Sequence, residues 1–189
     1  MTRRLLSAAL AGALLLLTTS CDGGGTNDGG YISGDSNVVQ YAADKRGDPV
    51  EGVSGTTLDG GELDLADSRG KPVVVNVWWS GCGPCNIEMP MLTEAHAELG
   101  DQVDFVGINT RDTSIETARS FEQAKGVDYP SIYAADGKAL LPFGSRAVRA
   151  MPTTLVLDRE GRVAALIPGQ VPGKVTLIDV VEDVLAEDA

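Results

Sequence analysis

Val73-Val74-Val75-Asn76-Val77-Trp78 runs directly into Trp79-Ser80-Gly81-Cys82-Gly83-Pro84-Cys85, and these two adjoining patterns decide the fold. The first is an almost continuous apolar run rich in β-branched residues, the signature of a strand buried on both faces. The second opens a helix, because Cys85, Met89, Leu92, His96 and Leu99 recur at spacings of four and three and so share one face. Gly100-Asp101 stops it.

Outward from this strand and helix, the same two periods alternate. Upstream, Val53–Thr57 and Glu62–Leu65 flank Asp59-Gly60-Gly61, a hairpin signal. Downstream, Val103–Ile108 reads as a second buried strand. Ile115, Ala118, Phe121 and Ala124 mark a second helix, closed by Gly126. Two further strands, Thr153–Leu157 and Arg162–Ile167, are joined by Asp158-Arg159-Glu160-Gly161, a connection short enough to force antiparallel pairing. A last helix carries Leu177, Ile178, Val181, Val184 and Leu185 on one side and Asp179, Glu182, Asp183 and Glu187 on the other. The order predicts an α/β domain over residues 50–189: a central mixed β-sheet flanked by helices on both faces, with an N-terminal β-hairpin extension.

The remaining residues read as an address and a tether. Arg3 and Arg4 precede an apolar stretch from Leu5 to Leu17, too short to span a bilayer, which needs about 17–25 residues. Thr18-Thr19-Ser20 then leads to Cys21. A small residue directly before a cysteine resembles the bacterial lipobox, although Leu17 stands one place earlier than that pattern usually has its leucine. Residues 1–20 are accordingly expected to be a lipoprotein signal peptide, with Cys21 taking a diacylglyceryl group. The competing reading is a plain secreted protein with a stray thiol. Residues 21–49 are rich in Gly, Asp, Ser and Asn and read as a lipid-anchored flexible tether. The expected location is extracytoplasmic, on the outer face of the bacterial cell membrane.

Of the 189 residues, 43% are hydrophobic and 22% charged, ordinary globular usage that excludes a disordered, collagen-like or many-span chain. A net charge of -12 leaves no basic footprint for nucleic acid, so none is expected as a partner.

Cys82 and Cys85 carry the chemistry. Two intervening residues on the first turn of a helix bring two sulfurs to bonding distance. Cys82 falls near the helix N-terminus, where free N–H groups and the dipole favour a thiolate. Cys85 lies further into the helix, shielded, as the resolving thiol, and Pro84 removes an N–H that the first turn can spare. A purely structural disulfide would close a loop of only two residues and constrain the unfolded chain little. Zinc would need more ligands than two cysteines and the single histidine His96 supply. A copper carrier would usually add nearby histidine or methionine, and Met89 sits on the inner helix stripe. No metal and no organic cofactor is expected.

With Met151-Pro152-Thr153-Thr154 entering a strand downstream, the chain resembles the thioredoxin fold. Within it, the chain is similar to the TlpA/ResA-like membrane-anchored thiol–disulfide oxidoreductases over about residues 50–187. The resemblance implies that Pro152 is cis beside the cysteine pair and that Met151 offers backbone groups to a substrate peptide. Trp78, Gly83 and Pro84 complete the expected docking surface. It also implies that Glu88, matching the family's active-site acid, relays the proton of Cys85, because Asn76 stands where thioredoxin has a buried Asp and cannot take a proton. The bland alternative is an exposed first-turn Glu stabilising the helix dipole. Gly81 departs from the family, which usually has Trp directly before the first cysteine; Trp79 is the candidate to cover that gap. The implied activity is exchange of disulfides with exported protein thiols as a reductant, in cytochrome c maturation. Its implied partners are apocytochrome c and a membrane thiol electron donor, and the protein is expected to be a monomer. Rival readings are a disulfide-forming oxidase, a Cu(I)-carrying module, and a thiol peroxidase, whose family has Thr where Trp79 stands. His96 reads as a core-edge histidine, Arg146 and Arg149 as solvated surface, and Arg111-Asp112 as polar capping at the start of a helix.

Overall fold

The structure is a computed structural model that describes residues 30–32, 37–146 and 150–187. The expected signal peptide over residues 1–20, the expected lipidation site Cys21, and Arg149 lie outside the described residues. Among the described residues nine strands appear: β1 (Gly30–Ile32), β2 (Val39–Tyr41), β3 (Ser54–Thr56), β4 (Glu62–Asp64), β5 (Val73–Trp78), β6 (Asp104–Asn109), β7 (Ser131–Tyr133), β8 (Thr153–Leu157) and β9 (Val163–Pro168). The α-helices are α1 (Gly83–Leu99), α2 (Ile115–Lys125) and α3 (Lys174–Ala186). β3 and β4 form the expected antiparallel hairpin, and the other seven strands make one mixed sheet in the order β1-β2-β9-β8-β5-β6-β7. β5 is parallel to β6 and antiparallel to β8. All six of its residues are buried, as its composition demands.

Strand alternation sorts the core into two faces. Val74 and Trp78 point to one face with Met89 and Leu92 of α1, Ala118 of α2 and Leu177 and Val181 of α3. Val73, Val75 and Val77 point to the other, against Val53, Leu65, Ala139 and Phe143. All three α-helices thus share one face, whereas helices on both faces were expected. The reason is directional. β5, β6 and β7 advance across the sheet in one sense, and right-handed crossovers set α1 and α2 on the same side. The opposite face is closed by the hairpin and by 3-10 turns at Leu65–Ser68 and Lys138–Arg146.

Ordered chain also begins upstream of residue 50. β2 pairs with β9 through Val39–Leu166 and Gln40–Ala165, and Val38, Tyr41 and Arg46 are buried. The Arg46 guanidinium donates to Asp158 at 3.0 Å, to Glu187 at 2.6 Å and to the Tyr41 carbonyl at 3.1 Å. The expected tether over 21–49 is therefore folded against the sheet in its last part, because the edge of β9 offers unpaired backbone groups and Asp158 needs a cation. Arg146, expected on solvated surface, is half-buried over the Tyr41 ring, 4.8 Å from its centroid. Among the described residues no helix is long and apolar enough to cross a membrane.

Candidate active site

β5 ends at Trp78 and the chain turns through Trp79-Ser80-Gly81 into α1. The Cys82 N–H donates to the Trp79 carbonyl at 3.1 Å and closes the turn. The Trp79 ring folds over Gly81 so closely that any Cβ at position 81 would overlap it. Trp79 therefore covers the space beside Cys82, and glycine is the residue this packing admits.

Cys82 is the N-cap of α1, with φ −85° and ψ 109°, and its sulfur accepts the Cys85 N–H at 3.2 Å. Cys82 and Cys85 are joined in a disulfide, with S–S 2.01 Å and Cα atoms 5.2 Å apart. Cys85 is completely enclosed while Cys82 keeps 5% exposure, so Cys82 is the outer residue of the pair. Gly83 and Pro84 are exposed beside it, and Trp78 is buried behind it, stacked on Phe121 at 5.1 Å between centroids. When the bond opens, the same N–H and the helix end favour negative charge on the Cys82 sulfur.

Glu88 follows Cys85 by three residues, on the same side of α1. It is 1% exposed, so the reading of an exposed first-turn Glu does not hold. Strand alternation puts Asn76 on the α1 face of β5, between Val74 and Trp78, and its amide donates to Glu88 Oε1 at 2.9 Å and to Thr154 Oγ1 at 3.2 Å. The Val171 backbone N–H donates to Oε2 at 2.9 Å. No cation balances the carboxylate among the described residues. Burial pushes its pKa up to about 7, against the pull of the Val171 and Asn76 hydrogen bonds. Asn76 and Val171 were not read as partners of Glu88 from the sequence; they stand 12 and 83 residues from it. A second acid, the half-buried Glu122, packs behind Trp78 through Ser131, whose hydroxyl accepts the Trp78 indole N–H at 3.3 Å, and burial raises Glu122 to about 7 as well.

The Met151–Pro152 peptide bond is cis. Met151 is half-buried against the core cluster that holds both cysteines, and Pro152 is buried, its carbonyl accepting the Gly169 N–H at 2.8 Å. His96 sits at the core edge, its Nδ1 2.9 Å from Asp128 Oδ1 and its ring against Phe105 and Tyr129. Arg111-Asp112 does not cap a helix. Ser114 is the N-cap of α2, its hydroxyl accepting the Thr117 N–H, and Asp112 turns instead toward Ser80. Among the described residues no group of three or more His, Cys, Asp or Glu side chains is placed to hold a metal ion.

Three kinds of likeness bear on this site. The chain matches the Redoxin family over residues 45–185. It is 29% identical over 116 residues to the thiol-disulfide oxidoreductase ResA of Bacillus thuringiensis, covering 61% of this chain. That match spans 65% of the relative's length, just under two thirds. Among solved structures, a DsbF homologue from Corynebacterium diphtheriae superimposes with a TM-score of 0.73 at 36% identity, covering 81% of this chain and 96% of that one. A secreted thiol-disulfide isomerase from Corynebacterium glutamicum gives 0.74 at 30% identity, covering 86% and 99%. With its thioredoxin-like sheet, its disulfide at the head of α1 and a family match across most of its length, the chain belongs to the Redoxin family.

Proposed function

We propose that the protein is a thiol–disulfide oxidoreductase that reduces disulfides in exported proteins, anchored outside the cell membrane through Cys21. The observation that carries this reading is the Cys82–Cys85 disulfide, with its outer sulfur at a helix end and its inner sulfur enclosed. Its likeness to ResA supports it.

In the reductive direction the Cys82 thiolate attacks one sulfur of a partner disulfide. A mixed disulfide forms, and the other partner sulfur leaves as a thiolate and takes a proton. Cys85 then gives its proton to the Glu88 carboxylate and attacks the Cys82 sulfur. The Cys82–Cys85 bond forms, the Cys82–partner bond breaks, the partner sulfur held on Cys82 departs as a thiolate and takes a proton, and two electrons have passed from the domain to the partner. A carboxyl titrating near neutrality suits that relay, since it can both accept and return the proton. Gly83, Pro84, Met151 and Pro152 frame the place where the partner chain docks, while Trp78, expected on that surface, is fully enclosed and supports it from behind. An apocytochrome c is the partner class proposed, with a membrane thiol donor restoring the dithiol.

The test is a pair of variants and one potential. Cys82→Ser abolishes exchange, and Cys85→Ser accumulates the mixed disulfide with a partner. Unchanged exchange by Cys82→Ser refutes the mechanism. Equilibration with glutathione fixes direction: a potential near roughly −270 mV marks a reductant, and one near about −120 mV an oxidase.

A further inference from the structure

Asp112 is nine-tenths and more enclosed, at 5% exposure, yet it belongs to no ion pair among the described residues. Its carboxylate accepts three hydrogen bonds instead. Oδ2 takes the Ser80 backbone N–H at 2.9 Å and the Asn109 side-chain amide at 2.7 Å, and Oδ1 takes the Ser80 hydroxyl at 2.6 Å. Ser80 stands two residues before Cys82, in the turn that Cys82 itself closes onto Trp79. One side chain from the β6–α2 connection therefore grips the segment leading to the outer sulfur at both its backbone and its side chain.

The grip is itself held. The Tyr133 hydroxyl donates to the Asp112 carbonyl at 2.9 Å, and the Thr110 N–H donates to the Trp78 carbonyl at 3.0 Å. Between these anchors Arg111 adopts φ 65°, the left-handed region that a residue with a Cβ enters only against steric strain. Strain of this kind persists only where the surroundings over-determine the backbone.

We propose that Asp112 is a positioning residue for disulfide exchange: it fixes Trp79-Ser80-Gly81 so that the Cys82 sulfur is held at the N–H end of α1. The proposal rests on the exchange activity proposed above. Its action is through hydrogen-bond geometry. An amide at position 112 can keep every contact, its oxygen accepting from Ser80 N–H and Asn109 and its nitrogen donating to the Ser80 hydroxyl, which then serves as acceptor. Alanine can keep none.

Two readouts on the full chain test this. The first is the rate at which the reduced protein attacks a small aromatic disulfide. The second is the pH profile of iodoacetamide modification at Cys82, followed by peptide mass spectrometry in a Cys85→Ser background, which needs no exchange activity. Asp112→Ala slows attack roughly tenfold or more and moves the Cys82 titration upward in pH. Ser80→Ala, which removes one bond of the three, slows it by about fivefold. The conservative Asp112→Asn rescues both readouts to near the unaltered protein. Unchanged rate and titration in Asp112→Ala overturn the proposal, and so does an Asp112→Asn as impaired as the alanine variant. Should Asp112→Ala fail to fold, Ser80→Ala decides, and an unaltered rate there overturns it. If the unaltered protein exchanges no disulfides, the functional reading fails, while the Cys82 titration still reports on Asp112.

Discussion

Asp158 and Glu88 are equally enclosed, each 1% exposed, at opposite ends of the sheet, and their surroundings differ in kind. Asp158, just beyond β8 and far from the disulfide, meets two guanidiniums: Arg46 at 3.0 Å and Arg162 at 2.8 Å. It also accepts the Arg162 backbone N–H at 2.8 Å. Glu88, beneath the disulfide, meets only neutral donors, the Asn76 amide and the Val171 N–H. A buried carboxylate with cations ties parts of a fold together; here it binds the N-terminal segment and, through Arg46 and Glu187, the end of α3. A buried carboxylate without a cation finds its charged form disfavoured, so it holds or releases a proton near neutral pH. The same residue chemistry serves as a clamp at one end and, in the function proposed above, as a proton carrier at the other.

Removing one of the clamp's two cations is the most severe way to break the comparison. Arg46→Met leaves Asp158 with Arg162 alone and strips the partner from Glu187. A loss of about 3–5 kcal/mol in urea unfolding is expected, with disulfide exchange by the folded fraction unchanged. A loss below about 1 kcal/mol would show that the buried pair is not a clamp.

The second prediction acts on Glu88, the proposed proton carrier. Burial holds the folded pKa of Glu88 above its ordinary value of 4.5, at about 7. Its contribution to stability is therefore fully present below pH 4.5 and is lost as pH rises through 7. By linkage the unaltered protein loses about 3 kcal/mol from this group between those limits. Glu88→Gln removes that part of the slope, leaving the part that Glu122 contributes in the same direction and range. In stopped-flow kinetics the same variant slows resolution of the mixed disulfide more than the initial attack. Equal pH slopes for the two proteins, or unaltered resolution, would count against the relay.

The smallest effect sharpens the contrast from outside. His96 and Asp128 also pair at 2.9 Å, but their side chains are 25% and 56% exposed. Water already solvates both, so Asp128→Asn should shift unfolding by less than about 1 kcal/mol. A larger shift would mean that proximity alone, and not enclosure, gives the Arg46–Asp158 pair its weight.

Features carried by contiguous residues were legible in the chain. β5 and β8 occupy the residues their patterns marked, α2 ends at Gly126 in the left-handed conformation, and the final helix buries its apolar side. β7 has only three residues, too few to show a period, and β2 lies in a Gly-rich, polar stretch whose one decisive side chain, Arg46, has meaning only once Asp158 is opposite it. Asp112 read as a helix cap because capping residues cluster before helices; the structure gives that task to Ser114, two positions on.

By itself the sequence determined the strand–turn–helix that carries Cys82 and Cys85, because local periodicity and helix-end chemistry depend on neighbours a few residues apart. Only the folded sheet decided which side chains surround that pair. Asn76, Val171, Asp112 and Ser80 meet their partners across 12 to 83 positions of chain. Such meetings follow from which face of a strand a residue occupies and which way the crossovers turn, and neither is written in the spacing of the residues concerned.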